Sequence, residues 1–165
     1  MRLEISLAGD VQVSRELLRF AGRIEDASPA FRWIADDLKA WEKKQFRTKG
    51  RYASGGWADL KDATIAQKRR HPNPVVRANA TNPLRATGRL MESLTGGNEE
   101  YFELVQPHQL VVATLVPYAK FHQRGKGVPQ RRPLEVRARD RTGMVKTLQE
   151  FMVGSLEGAA MRGLR

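Results

Sequence analysis

The spacing of apolar residues changes along the first part of the chain and predicts two elements there. Residues 2–7 alternate apolar and polar side chains, which is the period of a strand. A helix capped by Ser14 follows, because apolar side chains then recur at helical spacing. The apolar face of this helix consists of Leu17, Phe20, Ala21 and Ile24.

The longest predicted helix covers residues 29–47, with its cap and its first helical position at Ser28-Pro29. The apolar stripe of this helix consists of Phe31, Ile34, Leu38 and Trp41. We expect Trp41 to anchor the core, whereas Trp33 and Phe46 lie off the stripe and would extend the core edge. The stripe lacks the regular heptads of a long coiled coil, so this helix is expected to pack on a sheet.

The middle of the chain is rich in glycine, proline and asparagine, which predicts irregular loops. Residues 48–56 form a polar loop that we expect to be mobile, and residues 71–83 contain three prolines and three asparagines. A short helix is predicted between these loops, through residues 64–68. A further helix is expected to begin at Thr87 and to end at Gly96. Its apolar face consists of Leu90, Met91 and Leu94.

Residues 101–105 and 109–116 are the strongest strand candidates, because they are rich in valine, leucine and phenylalanine. Pro107-His108 supplies a turn between them, so an antiparallel hairpin is predicted. Residues 134–137 alternate and predict one more strand.

A short amphipathic segment follows the hairpin. Pro117 suits the first turn of a helix, and Gly125 is placed to end it in the left-handed conformation. Tyr118 and Phe121 are three residues apart and would share one helical face. The predicted core anchors of the chain are Tyr118, Phe121, Leu90 and Trp41.

A final helix capped by Asp140 and a small basic tail at residues 158–165, expected to be frayed, complete the prediction. These elements predict an α+β fold, an antiparallel sheet packed with helices, with long irregular loops and arms. A length of 165 residues favours a single domain. Residues 1–56 would supply its N-terminal strand, helices and mobile loop.

The composition adds a strong positive charge. The chain has 29 basic and 18 acidic residues and a net charge of +11, concentrated in residues 43–51, 68–70 and 119–141. Such patches attract nucleic acid, but a solvated surface and a surface matched to an acidic protein partner are together the more frequent explanation. The chain has no cysteine, no secretory signal at its start and no segment apolar enough to cross a bilayer. We therefore expect a soluble protein without membrane contact, made in a cytoplasm.

Residue types that carry out catalysis are present but not in catalytic patterns. His71, His108 and His122 fall in three separate segments, and none has a partner at metal-ligand spacing. The chain lacks a nucleophile elbow and a phosphate loop of Walker spacing. Adjacent carboxylates on a helix do not face each other, so they form no acid–base pair. We therefore predict a protein that is not an enzyme, without catalytic residues, cofactor or metal.

Four segments share their order and spacing with a known family. They are Trp57-Ala58-Asp59-Leu60 with Thr64 and Lys68, Asn82 to Leu90 with Ser93-Leu94, Tyr118 to Gly125, and Arg132-Pro133-Leu134. Together they resemble the virion morphogenesis, or tail-completion, family of tailed bacteriophages, which includes Mu-like neck proteins. Their coverage runs from about Trp57 to about Phe151. At the last segment the chain has Leu-Glu where the family has Phe-Leu-Gly.

The resemblance implies a structural virion protein of the phage neck, with residues 57–157 as the family core. Such a protein completes the tail and joins it to the DNA-filled head as part of a ring, usually of six copies. Its partners would be copies of itself, the neighbouring neck and tail-tube proteins and, through non-specific contacts, the packaged DNA. It would be located in the virion after assembly in the bacterial cytoplasm. Within the neck, the protein could belong to the connector, the tail terminator or the collar, and the sequence does not distinguish these positions.

Within this interpretation the candidate interface residues are Lys126, Arg131, Arg132, Arg51 and Trp57. Arg131 and Arg132 are expected to contact a neighbouring subunit, because arginine pairs with carboxylates in a bidentate manner. The alternative function is a small basic module that binds nucleic acid. An enzyme whose site has no visible motif is a third and weaker alternative.

Overall fold

The computed structural model describes residues 10–154, and within that range the chain forms seven helices and one antiparallel hairpin. This confirms the predicted α+β class. The predicted strand at residues 2–7 and the tail at residues 158–165 lie outside the described residues. In chain order the elements are α1 (Asp10–Glu25), α2 (Ser28–Arg47), α3 (Asp62–Arg69), α4 (Pro74–Ala78), α5 (Arg89–Thr95), β1 (Tyr101–Gln106), β2 (Gln109–Thr114), α6 (Ala119–Arg124) and α7 (Ala138–Met152).

Helix α2 packs against four other elements, namely α5, α7 and both strands. Ala30 and Ala35 are completely buried, and these small side chains let neighbouring elements approach the helix closely. The buried side therefore overlaps the predicted stripe at Ile34 but is not centred on it. Trp41 is only partly buried and is not a core anchor, whereas Phe46 lies in the core.

The hairpin matches the prediction, with Tyr101 opposite Thr114 at one end and Gln106 opposite Gln109 at the turn. Its two faces differ, because alternate residues of β1 are partly buried and exposed. Glu103 lies on the inner face, towards α2, where its carboxylate accepts a bond from Lys39 Nζ at 2.9 Å. Phe102 and Leu104 lie on the outer face, which no described helix covers.

The strand predicted at residues 134–137 is wrong. The side-chain amide of Gln123 takes both backbone bonds of Leu134: its nitrogen donates to the carbonyl oxygen at 2.9 Å, and its oxygen accepts the N–H at 3.3 Å. These bonds replace the ladder bonds that a strand partner would make at this residue. The segment is therefore fixed to α6 in an irregular conformation.

The main apolar core lies beneath α5, α6 and the hairpin. Phe46 and Trp57 meet edge to face at its centre, with ring centroids 5.1 Å apart. The predicted anchor Leu90 is buried, but Tyr118 and Phe121 are 38% and 40% exposed and are not core anchors. Helix α6 begins at Ala119, so Ala119 and the preceding Val116 take the inward positions instead.

A second, smaller core joins α2 to α7. Phe151 packs there against Ala27 and Ala30, and its ring meets Trp33 edge to face at 6.1 Å. Helix α1 contacts α7 but turns its predicted apolar face largely to solvent, and Leu17 is 62% exposed.

The helix N-termini differ from the predicted caps, whereas two helix C-termini agree with the prediction. Ser14 lies inside α1, Ser28 is the first residue of α2 and Asp140 lies in the first turn of α7, so none of them is the cap. Gly96 and Gly125 end α5 and α6, as predicted, and both are in the left-handed conformation, which was predicted for Gly125.

The polar loop at residues 48–56, predicted to be mobile, is held by hydrogen bonds to α2. The amide of Gln45 donates to Ser54 Oγ at 2.6 Å and accepts the N–H of Ala53 at 2.9 Å. The backbone N–H of Trp57 donates to the Lys49 carbonyl at 2.8 Å and closes the loop. These contacts join residues eight or nine positions apart, a spacing that no helix or strand period predicts.

None of the helices between residues 10 and 154 combines the length and the apolar character needed to span a lipid bilayer.

Candidate functional site

The four segments that carry the family resemblance contribute to one core and one cleft. Trp57, Leu90, Leu94 and Ala119 belong to the same buried cluster, and Leu134 packs against it. Above this cluster lies a cleft of about 230 Å³. Its basic and aromatic lining consists of Lys68, Arg85, Arg89, Tyr118, His122 and Arg131.

Arg131 forms one wall of the cleft and is 6% exposed. Its guanidinium donates from Nε to the Ala58 carbonyl at 2.7 Å and from Nη2 to the Asp59 carbonyl at 2.9 Å. The indole N–H of Trp57 donates to the Arg132 carbonyl at 3.0 Å. The expectation that Arg131 and Trp57 contact a neighbouring subunit is therefore corrected, because both side chains join two segments of the same chain.

Lys68 forms the opposite part of the lining. Its ammonium group donates to three backbone carbonyls, those of Asn79, Asn82 and Arg85, the last two at 2.9 and 3.1 Å. Removal of the ammonium group from water lowers the pKa of Lys68. The side chain thus ties α3 to the loop that precedes α5.

Arg89, Tyr118 and His122 complete the lining. The Arg89 guanidinium forms a bidentate pair with Glu100, with Nε 2.6 Å from Oε2, and lies 5.9 Å from the centre of the Tyr118 ring. The Tyr118 ring meets His122 edge to face at 6.3 Å. Burial raises the pKa of the Tyr118 hydroxyl, so this hydroxyl keeps its proton and can donate a hydrogen bond at neutral pH.

His122 has a buried ring nitrogen that no described group satisfies. Its Nδ1 has essentially no exposed surface and no hydrogen-bond partner among residues 10–154. Burial, and next the positive charge of Arg131, lower the pKa of the imidazole. A neutral imidazole beside fixed cations, with no carboxylate among the lining residues, lacks the third group of a catalytic triad.

Metal binding has no support in the part of the chain that the structure describes. Within residues 10–154 no three histidine, aspartate or glutamate side chains are close enough to hold an ion. The lining of the cleft offers positive charge and hydrogen-bond donors to a ligand.

A second charged cluster holds α7 against the loop at residues 48–56. Arg137 pairs with Asp140, with Nε 2.6 Å from Oδ2, and donates from Nη2 to the Tyr52 hydroxyl at 2.6 Å. Its guanidinium also lies 3.7 Å from the centre of the Tyr52 ring. The hydrogen bond from Arg137, opposed by burial, lowers the pKa of Asp140 overall. The spacing of three between Arg137 and Asp140 was the only signal of this cluster in the sequence.

Glu42 is a buried acid that the sequence did not single out. It is 2% exposed on α2, and its Oε2 has no hydrogen-bond partner in the described chain. Burial raises its pKa to about 8, although the backbone N–H of Glu135 partly opposes that shift. Its carboxyl group is thus protonated at neutral pH.

The remaining predicted interface residues lie on the surface. Arg51, Lys126 and Arg132 are exposed, and among residues 10–154 only Arg132 of these three has an ion-pair partner, with Nη1 3.1 Å from Glu135 Oε1. Their positions leave them accessible to a partner, but they do not converge with the cleft. No family model, no curated protein and no solved structure matches this chain.

Proposed function

We propose that this chain is a structural protein of a tailed bacteriophage neck. In that role it completes the tail and joins it to the DNA-filled head, as one subunit of an oligomeric ring. The observation that carries the proposal is the common core of the four segments that resemble the tail-completion family. Residues separated by more than seventy positions, from Trp57 to Leu134, meet in one cluster, so the segments form one structural unit.

Exposed apolar surface supports the assembly part of the proposal. The first surface is the outer face of the hairpin, where Phe102 and Leu104 are exposed on β1. Within the described chain this sheet has only two strands, and neither strand has a second partner. An apolar face and an unpaired strand edge favour contact with another chain.

The second surface is the apolar face of α1. Val13, Leu17, Phe20 and Ile24 are spaced by four, three and four residues, so they form one stripe along the helix. All four are exposed, even though α1 packs on α7. A long stripe of this kind is typical of a helix that packs against a partner.

Two different apolar surfaces on one chain favour a ring. When a patch on one copy contacts a different patch on the next copy, the contact is head to tail. Repetition of such a contact closes into a ring if the rotation between copies is suitable. We infer that copies of this chain contact each other through the α1 stripe and the hairpin face.

Native mass spectrometry of the purified full-length chain tests the assembly part of the proposal. We expect one discrete closed oligomer, with six copies as the family resemblance implies, and ring-shaped particles in negative stain. A protein that stays monomeric up to about 100 µM at moderate salt would contradict ring assembly in the absence of other virion proteins.

Binding to nucleic acid is the second candidate function, and exposed basic residues around α6 favour it. Lys120, Arg124 and Lys126 are exposed, and none of them forms an ion pair within the described chain. If these residues contact DNA phosphates, affinity for duplex DNA will fall steeply with salt and will not depend on base sequence. Absence of binding at low salt would eliminate this candidate.

A further inference from the structure

The cleft contains more positive charge than its hydrogen bonds neutralise. Lys68 donates to three carbonyl oxygens and Arg131 donates to two, and none of these acceptors carries a formal charge. Carbonyl groups satisfy the donors but leave both positive charges in place. Arg89 is paired with Glu100, which lies outside the lining. Buried Arg131 and partly buried Lys68 thus face the same cavity without a carboxylate among the lining residues, and the carboxylate of Asp59, which lies outside the lining, offsets part of the charge of Arg131.

We propose that this cleft binds a small oxyanion of the size of phosphate. Arg131 would hold it through guanidinium N–H groups that the described carbonyls do not use, and His122 and Tyr118 would add hydrogen bonds. An anion placed there would compensate the charges of Lys68 and Arg131 in a site partly shielded from water, where electrostatic attraction is strong.

The hydrogen-bonding capacity of the lining matches such a ligand. A guanidinium has five N–H groups, and the two carbonyl bonds of Arg131 account for two of them. His122 Nδ1 is buried and unpartnered among the described residues. The Tyr118 hydroxyl keeps its proton at neutral pH and can donate to an oxygen atom. Arginine in particular suits oxyanions, because its planar fork matches their geometry.

The size of the cavity limits the ligand. Its volume of about 230 Å³ is smaller than the roughly 300–1,000 Å³ of pockets that hold drug-sized ligands. A phosphate or sulfate ion with a few water molecules fits, because a water molecule occupies about 30 Å³ in the liquid. A single oxyanion group is therefore the ligand class that matches the cavity.

Calorimetric titration of the full-length chain with inorganic phosphate, at constant ionic strength set with chloride, tests the proposal. We expect saturable 1:1 binding that Arg131→Gln weakens at least tenfold. Arg124→Gln is the matched control, because it removes one positive charge from exposed surface on α6 beyond the cleft, and it should change affinity less than twofold. Equal weakening in both variants, or no binding at 10 mM phosphate, would overturn the proposal.

Arg131 also holds two segments together, so Arg131→Gln could fail to fold. Tyr118→Phe and His122→Phe keep the ring contact and the net charge while removing polar atoms from the lining. If phosphate binds in the cleft, we expect each variant to weaken binding at least threefold. Unchanged affinity in both variants would assign phosphate to another surface and overturn the proposal.

Competition experiments distinguish the sources of the oxyanion. Displacement of phosphate by sulfate but not by acetate would support a tetrahedral ion, whereas displacement by acetate as well would support a site that also accepts a carboxylate. A duplex DNA whose binding depends on Tyr118 and His122 as strongly as that of phosphate would show that the cleft serves a polynucleotide, which contradicts a small-ion site. These readouts use the purified chain and do not depend on ring assembly or on the proposed neck function.

Discussion

Glu42 shows at the scale of one residue how burial changes chemistry. An exposed glutamate titrates near pH 4.5, whereas the pKa of Glu42 is raised to about 8 because its carboxyl is buried on α2. Between these two values the folded chain keeps a proton that the unfolded chain releases. The free energy of unfolding therefore falls as pH rises through this window, by an amount on the order of 5 kcal/mol.

Glu42→Gln should remove this pH dependence. The amide stays neutral and its oxygen can still accept the Glu135 N–H, so the variant should be more stable than the natural chain above pH 8. Urea unfolding at pH 5 and pH 8.5 measures the difference between the two chains. Glu99→Gln, at an exposed position, is the control and should leave the pH profile of the natural chain unchanged. The same loss of stability between the two pH values in Glu42→Gln and in the natural chain would refute the assignment.

Gly50 is the second residue whose environment decides stability. Its φ of +82° disfavours any L-residue with a side chain, and an added Cβ would lie 2.3 Å from Cδ1 of Trp57. Gly50→Ala should therefore destabilise the fold by at least about 2 kcal/mol, measured by chemical denaturation.

Gly143→Ala provides the comparison for Gly50→Ala. Gly143 lies inside α7, and an added Cβ would meet nothing within 4 Å. This variant should stabilise the chain by about 1 kcal/mol, because alanine favours helix more than glycine does. Equal effects of the two substitutions would show that the contact between Gly50 and Trp57 is not formed.

At the scale of elements, the sequence predicted the hairpin and two helix ends, because residues close together in the chain determine them. The hairpin follows from two apolar runs around Pro107-His108, and Gly96 and Gly125 end helices because glycine accepts positive φ. The strand predicted at residues 134–137 does not form. The side-chain amide of Gln123, eleven residues before Leu134, makes the hydrogen bonds to the backbone N–H and carbonyl of Leu134. No rule based on the spacing of residues in the sequence predicts that contact.

The cleft illustrates the same limit. The resemblance singled out Lys68 and the segments around Arg89 and His122, but nothing in their spacing showed that they line one cavity. Arg131 was expected at an interface because arginine pairs with carboxylates in a bidentate manner. It is buried because two backbone carbonyls, more than seventy residues earlier in the chain, accept its donors.

A substitution in helix α1 tests whether the exposed apolar stripe of this helix is a subunit interface. Leu17→Glu places a charge in that stripe at a position 62% exposed, so the monomer should fold normally while the oligomer dissociates. Leu18→Glu is the matched control, because Leu18 is 73% exposed on the same helix but outside the stripe. Native mass spectrometry compares their oligomeric states, and circular dichroism compares their folding. An intact oligomer in Leu17→Glu would exclude α1 from the subunit contact.

At the scale of the whole molecule, the chain combines a net charge of +11 with uncovered apolar surfaces on α1 and the hairpin. Charge at this level opposes association between identical copies at low salt. Assembly should therefore strengthen as salt screens the repulsion, whereas binding to DNA should weaken. The opposite salt responses distinguish a ring held by apolar contacts from a module that binds nucleic acid.

Electron microscopy of lysates tests the proposed neck function most directly. A stop codon would be placed early in the gene of a phage that carries this sequence, and the natural gene would be supplied in trans as the control. We predict DNA-filled heads beside finished but unattached tails, with joined particles restored by the natural gene. Normal joined particles without the protein would contradict the neck assignment.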